Sequence, residues 1–230
     1  MSKKRVLLLT LAAVIVAAIV VIIVKSQNKH VFRRVNPAFR EYVSAFTTGI
    51  ISTESAIRVR LAIDYADTSF FNKESAEKYF SFSPSINGKL YWIDNRTIEF
   101  RPEKKLPQNT FYEAEFFLYK LLQVPDSLGT MEFQFKTAQQ DFEIIVDNHK
   151  AYDGSKPQKE MMPGYISTAD VAELADVLKI LKAEQHGNEL PIKWSQDAGK
   201  KIHYFTIDSI IRGSRAGSVE LNWDGNAIGT

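Results

Sequence analysis

From Val6 to Val24 the chain reads VLLLTLAAVIVAAIVVIIV, nineteen residues in which Thr10 is the one polar side chain. A helix satisfies all of its own backbone groups, and at ~1.5 Å per residue this one would cover about 28 Å, enough to cross a bilayer. A buried core helix is the poorer reading, because it would need charged clamps at both ends of a segment with no polar face. A cleaved secretory signal has a shorter apolar run of ~7–15 residues and a small-x-small site after it, whereas Val24-Lys25-Ser26 is a weak cleavage context. The pattern therefore predicts an uncleaved transmembrane signal anchor over 6–24, with Lys3, Lys4 and Arg5 as a cytoplasmic tip over 1–5. Lys25, Lys29, Arg33 and Arg34 flank the other side, so counting charges does not by itself settle the orientation.

Residues 25–40 are polar and basic and carry Pro37, which reads as a tether. The period then changes to two. Ile57-Arg58-Val59-Arg60-Leu61 alternates as a half-buried strand does. Asn87-Gly88 turns into Lys89-Leu90-Tyr91-Trp92-Ile93, and Asp94-Asn95 returns the chain as Thr97-Ile98-Glu99-Phe100, a hairpin. Leu106 is expected as a buried plug between Pro102 and Pro107. A long aromatic strand is expected over Phe111 to Leu122 and a last one over Leu128 to Thr137. The doublets Phe116-Phe117 and Leu121-Leu122 require one member of each to leave the core face if that strand is regular. Short strands separated by turn signals, with no long amphipathic helix, predict an antiparallel Ig-like β-sandwich over 41–138.

A second β-sandwich is predicted over 139–230, opening with Phe142-Glu143-Ile144-Ile145-Val146. Thr168 could N-cap a short helix through Val171, Leu174, Ala175 and Leu178, or belong to a strand. Ile180 to Gln185 and Leu190, Ile192 and Trp194 read as one hairpin about His186-Gly187-Asn188, with Gly187 supplying a positive φ. His203 to Ile210 is a further strand. Val219, Leu221 and Trp223 alternate before Asp224-Gly225-Asn226 turns the chain back toward a strand that barely follows. An unpaired edge there predicts a truncated domain and a longer polypeptide. The expected fold is thus all-β, two tandem antiparallel sandwiches after one N-terminal transmembrane helix.

Charge narrows the partners. The chain has 29 Lys+Arg against 27 Asp+Glu in 230 residues, but five of the basic residues and none of the acidic ones lie in the first thirty. Beyond them 24 basic residues face 27 acidic ones, so no basic field exists to neutralise a phosphate backbone and no nucleic-acid partner is expected. The absence of cysteine removes disulfides, thiolate metal sites, cysteine nucleophiles and a lipid-bearing cysteine.

Catalytic chemistry has little to build on. His30, His149, His186 and His203 lie far apart without an HExxH pairing, and each is expected at the surface or in a turn. Gly213-Ser214-Arg215-Ala216-Gly217 has its serine in the wrong place for a nucleophile elbow. Asp64 with Asp67, and Asp147 with Asp153, lack the spacing of a calcium loop. No catalytic residue, metal or cofactor is expected, and the chain is read as non-enzymatic. Tyr91, Trp92, Phe111, Tyr112, Phe116, Phe117 and Tyr119 could form a carbohydrate platform, but aromatics at alternate positions are expected to fill the space between two sheets. Asn95-Arg96-Thr97 fits a glycosylation sequon and falls in a turn.

Phe46-Thr47-Thr48-Gly49-Ile50-Ile51 through Arg60, then Phe82-x-Pro84, Gly88, Trp92, Thr97-Ile98-Glu99-Phe100-x-Pro102, Leu106 and Tyr112, resemble the N-terminal macroglobulin and Ig-like domains of bacterial alpha-2-macroglobulins, especially those of the Bacteroides group. Thr168-Ala169-Asp170, Leu190-Pro191-Ile192-Lys193-Trp194 and Val219-x-Leu221-x-Trp223-x-Gly225 are similar to the domain that follows in those proteins. The resemblance covers about residues 40 to 230. It implies a single-pass inner-membrane protein with its bulk in the periplasm, part of a broad-range endopeptidase inhibitor in which a protease cuts a bait segment and is enclosed. Its partners would be the membrane, proteases as targets of the full-length protein, and other envelope proteins. This chain departs from the family in having no cysteine for a thioester and no evident bait, so the resemblance carries over structural roles only: Gly88, Trp92, Pro102 and Trp194 as turn and core positions. The fragment would supply anchoring and scaffold, with inhibition residing further along. The contrasting expectation is a stand-alone envelope Ig-like binding or adhesion module for glycan or a partner protein.

Overall fold

Ile57, Val59 and Leu61 have no exposed surface while Arg58 and Arg60 face solvent, so the period-two pattern is realised as a strand with one dry and one wet face. The computed structural model describes residues 32–65, 69, 71–151, 159–213 and 217–230. Contacts divide the chain into 1–33 and 34–230, and the structure described below is that of the second unit. The 6–24 anchor and its flanking Lys3, Lys4 and Arg5 lie outside the described residues, among which no helix is long and apolar enough to cross a membrane.

Among the described residues nine strands precede residue 138: β1 (Val43–Phe46), β2 (Gly49–Ile51), β3 (Ile57–Leu61), β4 (Glu74–Ser75), β5 (Phe80–Ser83), β6 (Gly88–Trp92), β7 (Thr97–Pro102), β8 (Phe111–Phe117) and β9 (Thr130–Thr137). They form one sheet in the order β1-β3-β7-β6-β4 and another in the order β2-β9-β8-β5. One core joins them: Ile98, Phe100, Leu90 and Trp92 of the first sheet with Phe116, Met131, Phe133 and Phe135 of the second. Rings meet across the gap, Phe82 to Phe100 at 4.8 Å and Phe46 to Phe133 at 5.5 Å between centroids. Each fully buried phenylalanine is worth roughly 2–3 kcal/mol, and Leu106, 5% exposed, closes the core as expected.

Among the described residues eight strands follow: β10 (Phe142–Val146), β11 (Lys150–Ala151), β12 (Lys159–Thr168), β13 (Leu181–Gln185), β14 (Asn188–Glu189), β15 (Ile192–Gln196), β16 (Ile202–Ile211) and β17 (Glu220–Trp223). The sheets run β10-β12-β16-β15, with β11 also on β12, and β14-β13-β17. Ile166, Phe205 and Ile207 of the larger sheet share a second core with Leu181 and Ala183 of the smaller. The fold is all-β, built of sheets packed in pairs.

The structure corrects several local expectations. The stretch read as a tether to residue 40 ends inside the first core, because a 3-10 helix over Pro37–Glu41, capped by Asn36, buries Phe39 to 7% exposure. The first sandwich is not wholly antiparallel: β2 pairs with β9 in parallel, since the chain changes sheets after β1 at Gly49, where φ is +79°. The aromatic strand stops at Phe117, and a 3-10 turn over Leu118–Lys120 lets both Leu118 and Leu121 reach the core. The hairpin about His186 and Gly187, whose φ values of 52° and 74° fit a type I′ turn, keeps only Asn188–Glu189 in its second arm. The chain then crosses to the opposite sheet, where Ile192–Gln196 pairs with β16. Of the two readings open for Thr168 the strand holds, since it ends β12, and the helix α1 (Leu174–Val177) has Glu173 at its N-cap position. After β17 the chain forms a 3-10 helix over Gly225–Ile228, not the start of a strand.

Candidate functional site at the joint between the sheet pairs

Buried polar side chains gather where the two sheet pairs meet. The linker after β9 carries Gln140, 7% exposed, and the end of β12 delivers Asp170, 2% exposed. Asp170 Oδ2 accepts hydrogen bonds from the backbone N–H and the hydroxyl of Thr53, at 2.7 and 2.8 Å. Gln140 is bound to the same residue from the other side: its Oε1 accepts from Asp170 N at 2.9 Å and its Nε2 donates to Asp170 O at 3.2 Å. Gln108 continues the chain, accepting from Gln140 N at 2.7 Å and donating to Gly229 O at 2.8 Å. A loop of the first sheet pair, the linker, the end of β12 and the residues after β17 are thereby tied into one network.

Burial pushes the Asp170 carboxyl up, but hydrogen bonds from Ser52, Thr53 and Val171 outweigh it and leave the pKa below the ordinary aspartate value. A carboxylate taken from water is kept ionised in this way when its lone pairs find donors. Lys201 Nζ stands 3.9 Å from Oδ1 and adds longer-range attraction. Around the rim, Lys105 pairs with Glu54 at 2.6 Å and with Glu173 at 3.5 Å, and Lys200 pairs with Glu173 at 2.8 Å. A cleft of about 250 Å³ opens over Asp170, Gln140 and Lys105. Its charges are already matched by one another. Among the described residues no three His, Asp or Glu side chains are placed to share a metal ion.

The residues singled out from sequence fall elsewhere. Gly88 and Pro102 are direct partners in the β6–β7 register, and a Cβ on Gly88 would lie 2.5 Å from the Phe100 ring, so the glycine admits an aromatic ring across the sheet. Trp92, 3% exposed, ends β6 between Tyr65, stacked at 5.2 Å, and the edge of Tyr79 at 6.5 Å. Trp194 belongs to the second core, its ring 5.4 Å from that of Phe205. Gly88, Trp92 and Pro102 thus share one hairpin, and Trp194 is apart from them.

Of the histidines, His149 is an exposed partner of Glu160 at 3.1 Å and His186 sits in its turn. His203 corrects the expectation of a surface position. It has no exposed surface, because it shares with Phe205 and Ile207 the inward side of β16. Burial pushes its pKa down, against the pull of the Asp197 carboxylate. His30, Asp67, Asp153 and residues 214–216 lie outside the described residues; Asp64 ion-pairs with Arg96. Sequence reading missed Thr53, Gln108 and Gln140, and met Asp170 only within a motif. Contacts between positions so far apart leave no periodic signal.

No family model matches the chain, and no curated protein matches it. Among solved structures, an L,D-transpeptidase from Mycobacterium tuberculosis H37Rv is similar with 12% identity and a TM-score of 0.31 over 67% of this chain and 59% of that one. L,D-transpeptidase 3 from Mycobacterium tuberculosis, in complex with a faropenem-derived adduct, is similar with 10% identity and a TM-score of 0.31, over 69% and 58%. A further structure of L,D-transpeptidase 3 gives 10% identity and a TM-score of 0.30, over 77% and 80%. The chain spans less than two thirds of the first two of these proteins.

Proposed function

We propose that this chain is the non-enzymatic anchoring and scaffold portion of an alpha-2-macroglobulin-like endopeptidase inhibitor, held in the inner membrane by residues 6–24 and presenting two tandem sandwich domains to the periplasm. The observation that supports this most is the joint. Asp170 Oδ2 and the two glutamines tie one sheet pair to the other, while Asp170 Oδ1 accepts no hydrogen bond among the described residues, and these ties suit a scaffold that must hold two modules in fixed relation. The ordered motifs around Gly88, Trp92, Pro102 and Trp194 support the family.

The test is an immunoblot of the membrane fraction with antibody against residues 36–230, followed by incubation of the native protein with an endopeptidase. A species several times larger than 26.1 kDa that shields large substrates from the protease while leaving small peptide substrates cleavable is the expected result. A band near that mass with no effect on proteolysis would defeat the reading.

One observation favours the second reading, a binding module. A groove of about 740 Å³ between β5 and β6 is lined by Phe80, Phe82 and Ile86 together with Glu77, Lys89 and Lys120, a size suited to a ligand. Binding of a cell-wall glycan that is lost in Phe82→Ala with the fold intact would shift the balance to it.

A further inference from the structure

Leu221 and Trp223 of β17 lie opposite Ala183 and Leu181 of β13, so they share the side of the sheet that faces the second core. Yet Trp223 is 62% exposed. The cause is its place at the sheet edge: β17 pairs with β13 on one side, and among the described residues no strand pairs with the other. Edge strands are ordinarily protected by a proline, a bulge, a lysine or an inward-facing charge. β17 has none of these; its protections are its length of four residues and the outward charge of Glu220, and its pairing with β13 shows no register shift.

The opposite face of the same sheet carries a second anomaly. Glu189 pairs with Glu184, and Glu184 with Glu220, so three carboxylates form one row across β14, β13 and β17. Like charges placed directly opposite one another destabilise a sheet. Among the described residues none of the three has a Lys, Arg or His ion-pair partner. In the next row Lys182 stands opposite Asn222. The row of glutamates ends at the open edge, where the next position outward would be filled by whatever strand pairs with β17.

We propose that the free edge of β17 is a strand-addition site for an extended segment of a partner polypeptide, with apolar residues at alternate positions and a lysine or arginine between them. The apolar residues cover Leu221 and Trp223 on the core side. The cation takes the place beside Glu220 and relieves the repulsion along the row. Main-chain hydrogen bonds supply attachment and the side-chain pattern supplies selectivity, as in other edge-strand recognition.

The test uses the full chain in detergent micelles and a fluorescent peptide of about nine residues, in which valine alternates with threonine and lysine takes the central polar position, beside a counterpart with glutamate there. Exchanging attraction for repulsion at one cross-strand position should make the lysine peptide bind about tenfold more tightly. Glu220→Lys should reverse that order, and Trp223→Ala should weaken both peptides. Both residues are exposed, so the variants retain the fold, and slower amide exchange at 220–223 on peptide addition reports the pairing directly. Equal affinity for the two peptides, binding indifferent to both substitutions, or no protection at 220–223 would overturn the proposal.

Discussion

Thr53 gives both its backbone N–H and its hydroxyl to Asp170 Oδ2, 117 residues further along the chain, at 2.7 and 2.8 Å. Hydrogen bonds to a buried charge are worth about 1.5–3 kcal/mol, so Asp170→Ala is expected to cost about 2–3 kcal/mol, and Asp170→Asn less because an amide oxygen can still accept. Urea denaturation of the wild type, Thr53→Val, Asp170→Ala and the double variant should give a coupling of about 1 kcal/mol. A coupling near zero would mean that the joint is not held by this pair.

Glu99 sits on the outer face of the first sheet yet is 3% exposed, covered by Arg58 and Arg101, with Arg101 also 4.3 Å from the centre of the Tyr91 ring. Burial raises its pKa, but hydrogen bonds from Arg101 and Arg58 bring the net value below that of an ordinary glutamate. Arg58→Ala alone should cost less than about 1 kcal/mol, because its guanidinium is largely solvated and Arg101 remains. Removing both arginines strands a buried carboxylate and should cost more than the two single losses together. Simple additivity in chemical denaturation would refute this account of the network.

Gly164 lies opposite Phe205 in the β12–β16 register, and a Cβ there would stand 2.5 Å from the ring and closer still to the Ile145 carbonyl. Gly164→Ala, like Gly88→Ala against Phe100, is expected to lower stability by about 2 kcal/mol through overpacking. Gly129→Ala, whose Cβ would meet nothing nearer than 3.4 Å, is the control and should be close to neutral. Equal thermal midpoints for all three would contradict the close approach.

Stability should fall in two steps on acidification. His203 has a folded pKa below its unfolded value, so the unfolded chain binds more protons and stability declines as pH drops below about 6.5. Asp170 and Glu99 are also lowered on folding, and their contribution, complete above about pH 4.5, is lost as pH falls through the range below it. His203→Leu should remove the first step and leave the second. Thermal melts across this range that stay flat in the wild type between about pH 7 and 5.5 would count against a neutral buried His203.

What could be read from the sequence was what neighbouring residues decide among themselves. The alternation at Ile57–Leu61 gives a strand with one dry face. Asp94-Asn95 gives a hairpin, and Asp94 indeed accepts from the backbone N–H of Arg96 and Thr97, at 2.7 and 2.8 Å. The type I′ turn at His186-Gly187 was equally legible, because a positive φ is a local demand.

Partner choice was not legible. Nothing within Ile192–Gln196 says that it leaves the hairpin for β16, nothing within Gly49–Ile51 says that it runs parallel to β9, and His203 differs from a surface histidine only in which strands lie beside it. Asp170 reads as one more acid before a short helix until the fold brings Thr53 and Gln140 to it. The sequence by itself determined the all-β character, the main turns and most core positions, since side-chain alternation and backbone torsion act over a few residues. Tertiary structure alone decided which strands pair and which polar groups are buried at the joint, because those depend on contacts between residues that chain connectivity leaves far apart.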